Sequence, residues 1–397
     1  MNNPLFSIIL LHYNQPKYVK IAIDSILSQT YENIEFIFSD DCSSDIDLQF
    51  LKNYVNENKK NNIKNIIWQI NEKNLGTVKS LNRAIKKCSG KYVLFFAADD
   101  KLFDESVLSN FVNKFKNCRD DVYMISAQCH MMDVTLSKEK NLFVNSSFAN
   151  TFNNYDACNQ YKIFAKVCFL AIGATCMKIE VFKKFGYFNE TYKLVEDWSY
   201  FLHLAYNGGK MMYYDFDALY HRDGGSSHYI DSRLVPPNVL DYKLDIIRIY
   251  EKEILPHIYI FSTPEKSYIL DRYEQEKASY VRFGGTESGL SSFSIFKLMP
   301  TFYVKRRLWH FLSLSNAKMN YYFDKIVRTA IIWISLILFD LSLSNPLSNL
   351  NFLRNLRSLL FKLNFYLFPV LEITFLLPLL LYFLIFFLYK IRKLLKK

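Results

Sequence analysis

Residues 90–101, GKYVLFFAADDK, decide the fold, because seven apolar residues in succession end abruptly in two adjacent carboxylates. An uninterrupted apolar run of this length is typical of a strand that is buried on both faces of a parallel sheet. Ligands of open α/β sheets gather beyond the carboxyl ends of such strands, where Asp99 and Asp100 are expected to stand. Successive side chains of an extended chain point opposite ways, so the two carboxylates can serve two different ligand groups.

Two adjacent carboxylates repel each other, so a cation is expected near them. Hard oxygen ligands suit Mg²⁺ or Mn²⁺, which take one or two protein carboxylates and complete their shell with phosphate oxygens and water. The alternative is a solvated Asp-Asp turn that caps the next helix. This fragment alone favours neither interpretation.

Outward from this strand, short apolar runs alternate with helical spacings of apolar residues. Further strands are predicted at residues 6–11, 34–38, 63–70 and 122–127. Helices are predicted from Pro16 to near Gln29, from an Asp45 cap to residue 55, and over residues 78–88 and 107–115. Strands that alternate with helices predict right-handed βαβ units and a mainly parallel sheet.

The second half of this region is less regular. Residues 136–154 are polar and Asn-rich, which predicts a long loop of the kind that often serves as a functional lid. Residues 168–177 regain strand character, and residues 196–206 return to helical spacing before Gly208 and Gly209 end the helix.

The composition of the 397 residues excludes some classes of protein. The formal charge is +11, but the basic residues are scattered and cluster only near the C-terminus, which favours an anionic lipid surface over nucleic acid. The seven cysteines form no CxxC pair and predict reduced core residues. No basic region precedes the first apolar run, so we expect the start of the chain in the cytoplasm.

Residues 371–389, LEITFLLPLLLYFLIFFLY, are long and apolar enough for a membrane helix. The basic tail KIRKLLKK follows, so a single span from the cytosol would place positive charge outside the membrane, against the usual rule. A second short span at residues 330–339, a re-entrant bend at Pro378 or helices in the interface would each resolve the conflict. We favour both ends in the cytosol.

Four motifs carry a resemblance. They are FSIILLHYNQ at 6–15, SILSQTYENIEFIFSDDCSSD at 25–45, NEKNLGTVKSLNRAIKKCSGKYVLFFAADD at 71–100 and VEDWSYFLHLAYNGG at 195–209. In order and spacing they closely resemble the family 2 glycosyltransferases, inverting enzymes of GT-A fold, over roughly the first half of the chain. The resemblance implies an α/β, Rossmann-like nucleotide-sugar domain, which we place at residues 1–235. A helical region would follow at 236–325 and a membrane-associated region at 326–397.

The resemblance also implies a nucleotide site. Tyr13 would stack on the base and Asp41 would accept its imide N–H, which suits uracil or thymine. The alternative for Asp41 is a capping turn with Ser43 and Ser44. Leu11 departs from the family, where a small polar residue is common.

The turn at Asn74 would pass under the nucleotide, and Lys79 or Arg83 would reach the diphosphate. Either cation could equally be a solvated helix residue.

A metal site is implied next to the nucleotide site. Asp100 would bind Mn²⁺ or Mg²⁺, and Asp99 would face the ribose or the donor sugar. Ala98 replaces a carboxylate of the commoner motif, which weakens the case for tight metal binding. His221, which with His228 brackets the turn HRDGGSSH, would complete the metal shell or serve as a hydrogen-bonded structural residue.

Glu196 and Asp197 match the family's ED motif, which implies that Asp197 is the catalytic base. An inverting transfer needs one carboxylate to take the proton of the acceptor hydroxyl. The alternative is that both acids only favour a helix N-terminus. The large apolar neighbour Trp198 predicts partial burial, which would raise the pKa of a carboxylate toward that of a useful base.

The sequence therefore predicts an inverting hexosyltransferase-type enzyme that uses a UDP- or dTDP-sugar. Its acceptor would be a growing, lipid-linked surface glycan at a bacterial inner membrane, with the catalytic domain in the cytoplasm. One alternative is a catalytically silent nucleotide-sugar-binding subunit of a polysaccharide assembly complex, which the replacement at Ala98 favours. A processive synthase is a further alternative, but such enzymes need several membrane spans.

Overall fold

The structure is a computed structural model, and it describes residues 3–224 and 238–282. Within these ranges nine strands form one sheet with a hydrophobic cluster on each face. Alternate side chains of the first strand enter different clusters, Ile8 and Leu10 on one face and Ile9 on the other. This strand is buried on both faces, as its continuous apolar run predicts.

The strands are β1 (Phe6–His12), β2 (Ile34–Asp40), β3 (Ile63–Ile70), β4 (Tyr92–Ala97), β5 (Lys101–Leu102), β6 (Val122–Met132), β7 (Glu139–Leu142), β8 (Thr175–Lys178) and β9 (Lys210–Arg222). The first helices are α1 (Val19–Leu27), α2 (Leu48–Asn58), α3 (Thr77–Ile85), α4 (Val107–Lys116) and α5 (Ser146–Phe152). The later helices are α6 (Ala157–Phe164), α7 (Glu180–Phe185), α8 (Glu196–Tyr206), α9 (Val239–Ile249) and α10 (Thr263–Arg282). A 3-10 turn at Ile172–Ala174 precedes β8, and a π-helical turn at Tyr250–Ile254 follows α9.

The sheet is mixed, and the prediction of a mainly parallel sheet is wrong for its second half. Its order is β3-β2-β1-β4-β8-β6-β9-β5, and β7 pairs with β6. Strands β1 to β4 pair in parallel, as do β6 and β9, but β8 runs antiparallel between β4 and β6. Strands β5 and β7 are also antiparallel to their partners. The direction of β8 is set by its pairing with β4 and β6, which the local spacing of apolar residues does not record.

The predicted loop at residues 136–154 is also wrong, since it contains β7 and α5. The four residues of β7 are all exposed, so hydrophobic alternation cannot mark them, and only pairing with β6 makes them a strand. Helix α2 is capped by Asp47 and not by Asp45, because the Asp47 side chain accepts a hydrogen bond of 2.8 Å from the Phe50 N–H. His221 lies in β9, not in a turn.

The topology brings the candidate side chains to one edge of the sheet. The chain passes from β1 to β2 on one side and returns through β3 to β4 on the other side of β1. A ligand crevice is expected at such a switch point, beyond the carboxyl ends of the strands. Since β9 runs in the same direction as β4, its last residues lie at the same edge.

Within residues 3–224 and 238–282, no helix combines the length and the apolar character that crossing a bilayer requires. The predicted membrane helix at 371–389 lies outside the described residues, as does His228.

Candidate functional site

Asp41 follows β2 and is buried, and its carboxylate is held by the turn before α3. Its Oδ1 accepts hydrogen bonds from Asn71 Nδ2 at 2.9 Å and from the Leu75 N–H at 2.8 Å. Its Oδ2 accepts from the Gly76 N–H at 2.8 Å. A carboxylate offers about four acceptor positions, so one remains for a ligand N–H. Ser43 donates instead to the preceding residue, Asp40, through its backbone N–H and its hydroxyl.

A buried histidine fixes the loop between β1 and α1. His12 Nδ1 donates to Asp40 Oδ1 at 2.7 Å, and His12 Nε2 accepts from the Gln15 N–H at 3.3 Å. These two bonds assign the neutral tautomer with the proton on Nδ1. The next residue, Tyr13, is 47% exposed at the end of β1 beside Asp41. Its ring is therefore available for stacking on a base.

The turn at Asn74 and the first turn of α3 lie at the same edge. Asn74 Oδ1 accepts from the Gly76 N–H at 3.1 Å. Gly76 has φ 84°, and no atom lies within 4 Å of the position that a Cβ would occupy there, so the turn is open above it. Lys79 is exposed in the first turn of α3, and Arg83 is exposed one turn later. Four residues of helix rise about 6 Å, so Lys79 lies nearer the strand ends than Arg83 does.

The two aspartates after β4 contact different partners from β9. Asp99 Oδ2 accepts a hydrogen bond of 2.6 Å from Arg222 Nη2. Asp100 Oδ1 accepts from the Arg222 backbone N–H at 2.9 Å, and Asp100 Oδ2 lies 2.9 Å from His221 Nδ1. Both aspartates are buried. The two adjacent carboxylates thus contact different groups, as their opposite directions along an extended chain predict.

These contacts set the protonation of the group. Burial and the charge of Asp100 raise the pKa of Asp99, against the opposing attraction of Arg222. Partial burial alone would lower the pKa of His221, but the attraction of Asp100 outweighs it and the pKa is raised. The Arg222 guanidinium therefore compensates the charge of Asp99, and Asp100 is held by hydrogen-bonding groups of β9.

The residues present fit a divalent cation as two of its ligands. Adjacent ligands of an octahedral cation with bonds of about 2.1 Å lie about 3 Å apart, close to the 2.9 Å between His221 Nδ1 and Asp100 Oδ2. Across the described ranges, no three His, Cys, Asp or Glu side chains form a complete cluster of ligands. The remaining ligands would have to come from diphosphate oxygens and water.

Glu196 and Asp197 form the first turn of α8. Burial raises the pKa of Asp197 to about 6, although the Trp198 N–H donates to its Oδ1 at 2.6 Å. Burial and the charge of Asp197 raise the pKa of Glu196 to about 8. No described residue hydrogen-bonds Glu196 Oε2. Burial thus raises the pKa of both carboxyl groups, and the two side chains titrate as a pair.

The structure thus brings the predicted residues into three groups. Asp41, Asn74 and the start of α3 form one group, and Asp99, Asp100 and His221 form a second. Asp197 is joined to neither group by a hydrogen bond within the part of the chain that the structure describes. It lies instead near Cys168 and Tyr242, whose pKa values its charge helps to raise.

Sequence reasoning missed two residues of this region, His12 and Arg222. His12 was hidden in an apolar strand, although its position before Tyr13 placed it at the carboxyl edge. Arg222 stands beside His221 in a polar stretch, and nothing local indicates a partner, because Asp99 lies 123 positions away. The available signal was that Arg222 ends a strand at the same sheet edge as two carboxylates, which favours a contact between them.

Comparison with known proteins identifies the domain. Residues 7–184 match the glycosyl transferase family 2 domain. An uncharacterized glycosyltransferase of Haemophilus influenzae is 41% identical over 99 residues, which cover 25% of this chain and 29% of that protein. The poly(ribitol-phosphate) beta-N-acetylglucosaminyltransferase TarS of Staphylococcus aureus is 27% identical over 256 residues, which cover 63% of this chain and 40% of TarS.

The crystal structure of S. aureus TarS 1-349 in complex with UDP aligns with a TM-score of 0.47 and 19% identity, over 75% of this chain and 81% of that one. In sequence, this chain spans less than half the length of either curated relative named here. Residues 7–184 of this chain therefore carry the match to glycosyltransferase family 2.

Proposed function

We propose that this chain transfers a sugar from a UDP- or dTDP-sugar to an acceptor hydroxyl, with inversion at the sugar carbon. The observation that carries the proposal is the position of Asp197, a partly buried carboxylate whose pKa is raised to about 6 at the start of α8. A base with such a pKa is ionised at neutral pH and still accepts a proton readily.

The donor nucleotide is inferred from the first group of residues. The exposed ring of Tyr13 offers a stacking surface, and the oriented carboxylate of Asp41 offers an acceptor for an imide N–H. Uracil and thymine carry that N–H. Lys79 at the start of α3 supplies a positive charge for the diphosphate.

The reaction would be a single displacement. The acceptor oxygen attacks the sugar carbon while Asp197 takes the hydroxyl proton, and the nucleoside diphosphate leaves from the opposite face. Asp100 and His221 would hold Mn²⁺ or Mg²⁺, which supplies charge neutralisation at the departing diphosphate. Burial and the charge of Asp197 raise the pKa of Glu196 to about 8, so at neutral pH the pair would carry a single negative charge and the base would not be opposed by a second one.

We further propose a surface glycan, carried on a lipid, as the acceptor. TarS, by its name, acts on poly(ribitol-phosphate), and it is a relative at 27% identity. The apolar residues 371–389 and the basic tail support a site at the bacterial inner membrane with the catalytic domain in the cytoplasm. Truncation before Asn320 should release the protein from membranes on fractionation, and a full-length chain found entirely in the cytosolic fraction would contradict this proposal.

A catalytically silent nucleotide-sugar-binding subunit is the second candidate. It is favoured by Ala98, which stands where a carboxylate is commoner, and by the neutralisation of Asp99 by Arg222. Such a subunit would bind the donor but release no nucleoside diphosphate.

The experiment is a thermal-shift screen of nucleotide sugars with Mn²⁺, followed by an assay of diphosphate release. A ligand that binds only the folded state raises its melting temperature. We expect UDP- or dTDP-sugars to stabilise the full-length protein, and release to require Asp197. Stabilisation without release in the presence of membrane lipids would favour the silent subunit, and no stabilisation by any nucleotide sugar would refute both candidates.

A further inference from the structure

We propose that Arg222 binds the diphosphate of the donor, an inference that rests on the proposed function and assigns the residue a substrate contact within it. Arg222 is the last residue of β9 and only 8% exposed. It lies at the carboxyl edge of the sheet together with Asp99 and Asp100.

Three contacts fix the guanidinium. Nη2 donates to Asp99 Oδ2 at 2.6 Å, and Nη1 donates to the Asp223 backbone oxygen at 3.0 Å. The ring of Tyr18 lies 4.5 Å from Cζ, within the range of a cation–π contact. Because the side chain is already ordered, binding a ligand costs it little further conformational entropy.

The guanidinium nevertheless retains donor capacity. Hydrogen bonds to described residues account for two of its five N–H groups, and the buried Nε has no partner among them. Leaving a buried donor unpaired is costly, so pairing with Asp99 does not by itself account for this guanidinium. A guanidinium matches phosphate oxygens in a planar, two-point geometry.

The surrounding charges make a cation necessary at this position. A diphosphate that approached Asp99 and Asp100 without compensation would meet two carboxylates of its own sign. Lys140 is paired with Asp223 at 3.2 Å, so it already has an acidic partner. Arg222 is the cation in direct contact with Asp99, and it can be shared between that carboxylate and a phosphate.

The loop between β1 and α1 links this cation to the base site. Tyr13 stands at one end of the loop beside Asp41, and Tyr18 stands at the other end against Arg222. Since β2 and β4 flank β1 on opposite sides, a nucleotide that places its base near Tyr13 extends its phosphates across the end of β1 toward Arg222. This is the crevice of the topological switch point.

The test compares UDP with uridine, because only UDP carries the diphosphate. Calorimetry on the full chain is done in EDTA, so that a metal cannot supply the phosphate affinity. We expect Arg222→Gln to weaken UDP binding by about 10- to 100-fold, the loss typical of a charge-assisted contact, and to leave uridine binding within about twofold of the wild type. Arg222→Lys keeps the charge but loses the planar pair of donors, so its UDP affinity should lie between that of the wild type and that of Arg222→Gln.

The matched control is Arg119→Gln, which removes an arginine paired with Asp121 at 3.1 Å but 82% exposed beyond the opposite edge of the sheet. It should leave both affinities unchanged. Arg222→Gln leaves the buried Asp99 without its cation, so Asp99→Asn/Arg222→Gln serves as the variant that folds without an unpaired charge.

The outcomes separate the two claims. Equal loss of UDP and uridine affinity in both the single and the double variant would make Arg222 a structural partner of Asp99 and overturn the inference. An unchanged UDP-to-uridine ratio would overturn it as well. If the wild-type protein bound neither these ligands nor any other nucleotide, the proposed function itself would fail.

Discussion

Replacement of Asp197 by asparagine tests the central chemical claim. The change keeps the shape of the side chain and an oxygen that can accept the 2.6 Å hydrogen bond from the Trp198 N–H, but it removes the proton acceptor. Positioned general bases typically contribute about 10² to 10⁴ in rate. We expect turnover at saturating donor to fall by about that factor while donor affinity is retained.

The pH dependence follows from the raised pKa of Asp197, which is about 6. Only the ionised carboxylate accepts a proton, so activity should rise with pH through this value. The ionised fraction is about one-eleventh at pH 5 and about ten-elevenths at pH 7, which predicts an increase of about tenfold in kcat/KM.

Glu196→Gln is the matched control. The pKa of Glu196 is raised to about 8, so this residue is still protonated while Asp197 titrates, and glutamine imitates that neutral form. The pH profile of its activity should have a midpoint near that of the wild type. The variant should lose far less activity than Asp197→Asn.

The assay is release of nucleoside diphosphate from the donor, measured from pH 5 to 8 in the wild type and both variants. A profile that is flat from pH 5 to 7, or a midpoint near the ordinary carboxyl value of about 4, would refute the argument that burial tunes Asp197. A larger loss in Glu196→Gln than in Asp197→Asn would assign the base to Glu196.

Four further predictions concern stability and the metal. Because the folded state keeps the Glu196 proton to about pH 8 while the unfolded state releases it near 4.5, stability should fall as pH rises through this interval, and calorimetry should show Glu196→Gln melting above the wild type at pH 8 but not at pH 4. Burial alone would raise the pKa of Glu35, but hydrogen bonds from serines lower it, so its stabilisation is present above its unfolded value and lost as pH falls. Glu35→Gln should therefore cost about 1.5–3 kcal/mol in urea unfolding at pH 7, a difference that shrinks below pH 4. Gly90→Ala would place Cβ 2.6 Å from Ser7 Oγ and 2.7 Å from the Ser7 backbone nitrogen, so it should lower the free energy of unfolding by more than about 1 kcal/mol. A smaller loss in the same assay would show that the two segments can move apart. Asp100→Asn should abolish the gain in UDP affinity that Mn²⁺ provides. If that gain were unchanged in the variant, Asp100 would not be a metal ligand.

Most elements of the first half of the sheet could be predicted from the sequence. β3 spans Ile63–Ile70 with the predicted bounds, and in the second half α8 likewise spans the predicted residues Glu196–Tyr206. The predicted strand at 92–98 ends one residue earlier, at Ala97. Hydrophobic periodicity decides such elements, because the core faces of a strand or a helix are set by local spacing.

The order and direction of the strands in the second half could not be predicted. β7 has no buried residue, and β8 is four residues long between two longer strands. β7 becomes a strand only because β6 offers its backbone groups, and the direction of β8 is decided by its partners β4 and β6. Pairing of this kind depends on the whole fold, and no local pattern encodes it.

For the site, the sequence by itself determined which chemical groups reach the sheet edge: Asp41 after β2, and Asp99 and Asp100 after β4. Only the tertiary structure decided their state, since it brings Arg222 to Asp99 across 123 positions and buries Asp197 enough to raise its pKa to about 6. Charge attraction and loss of solvation act through space over a few ångströms. A sequence records order along the chain, so it supplies the acids, and folding supplies their partners and their protonation.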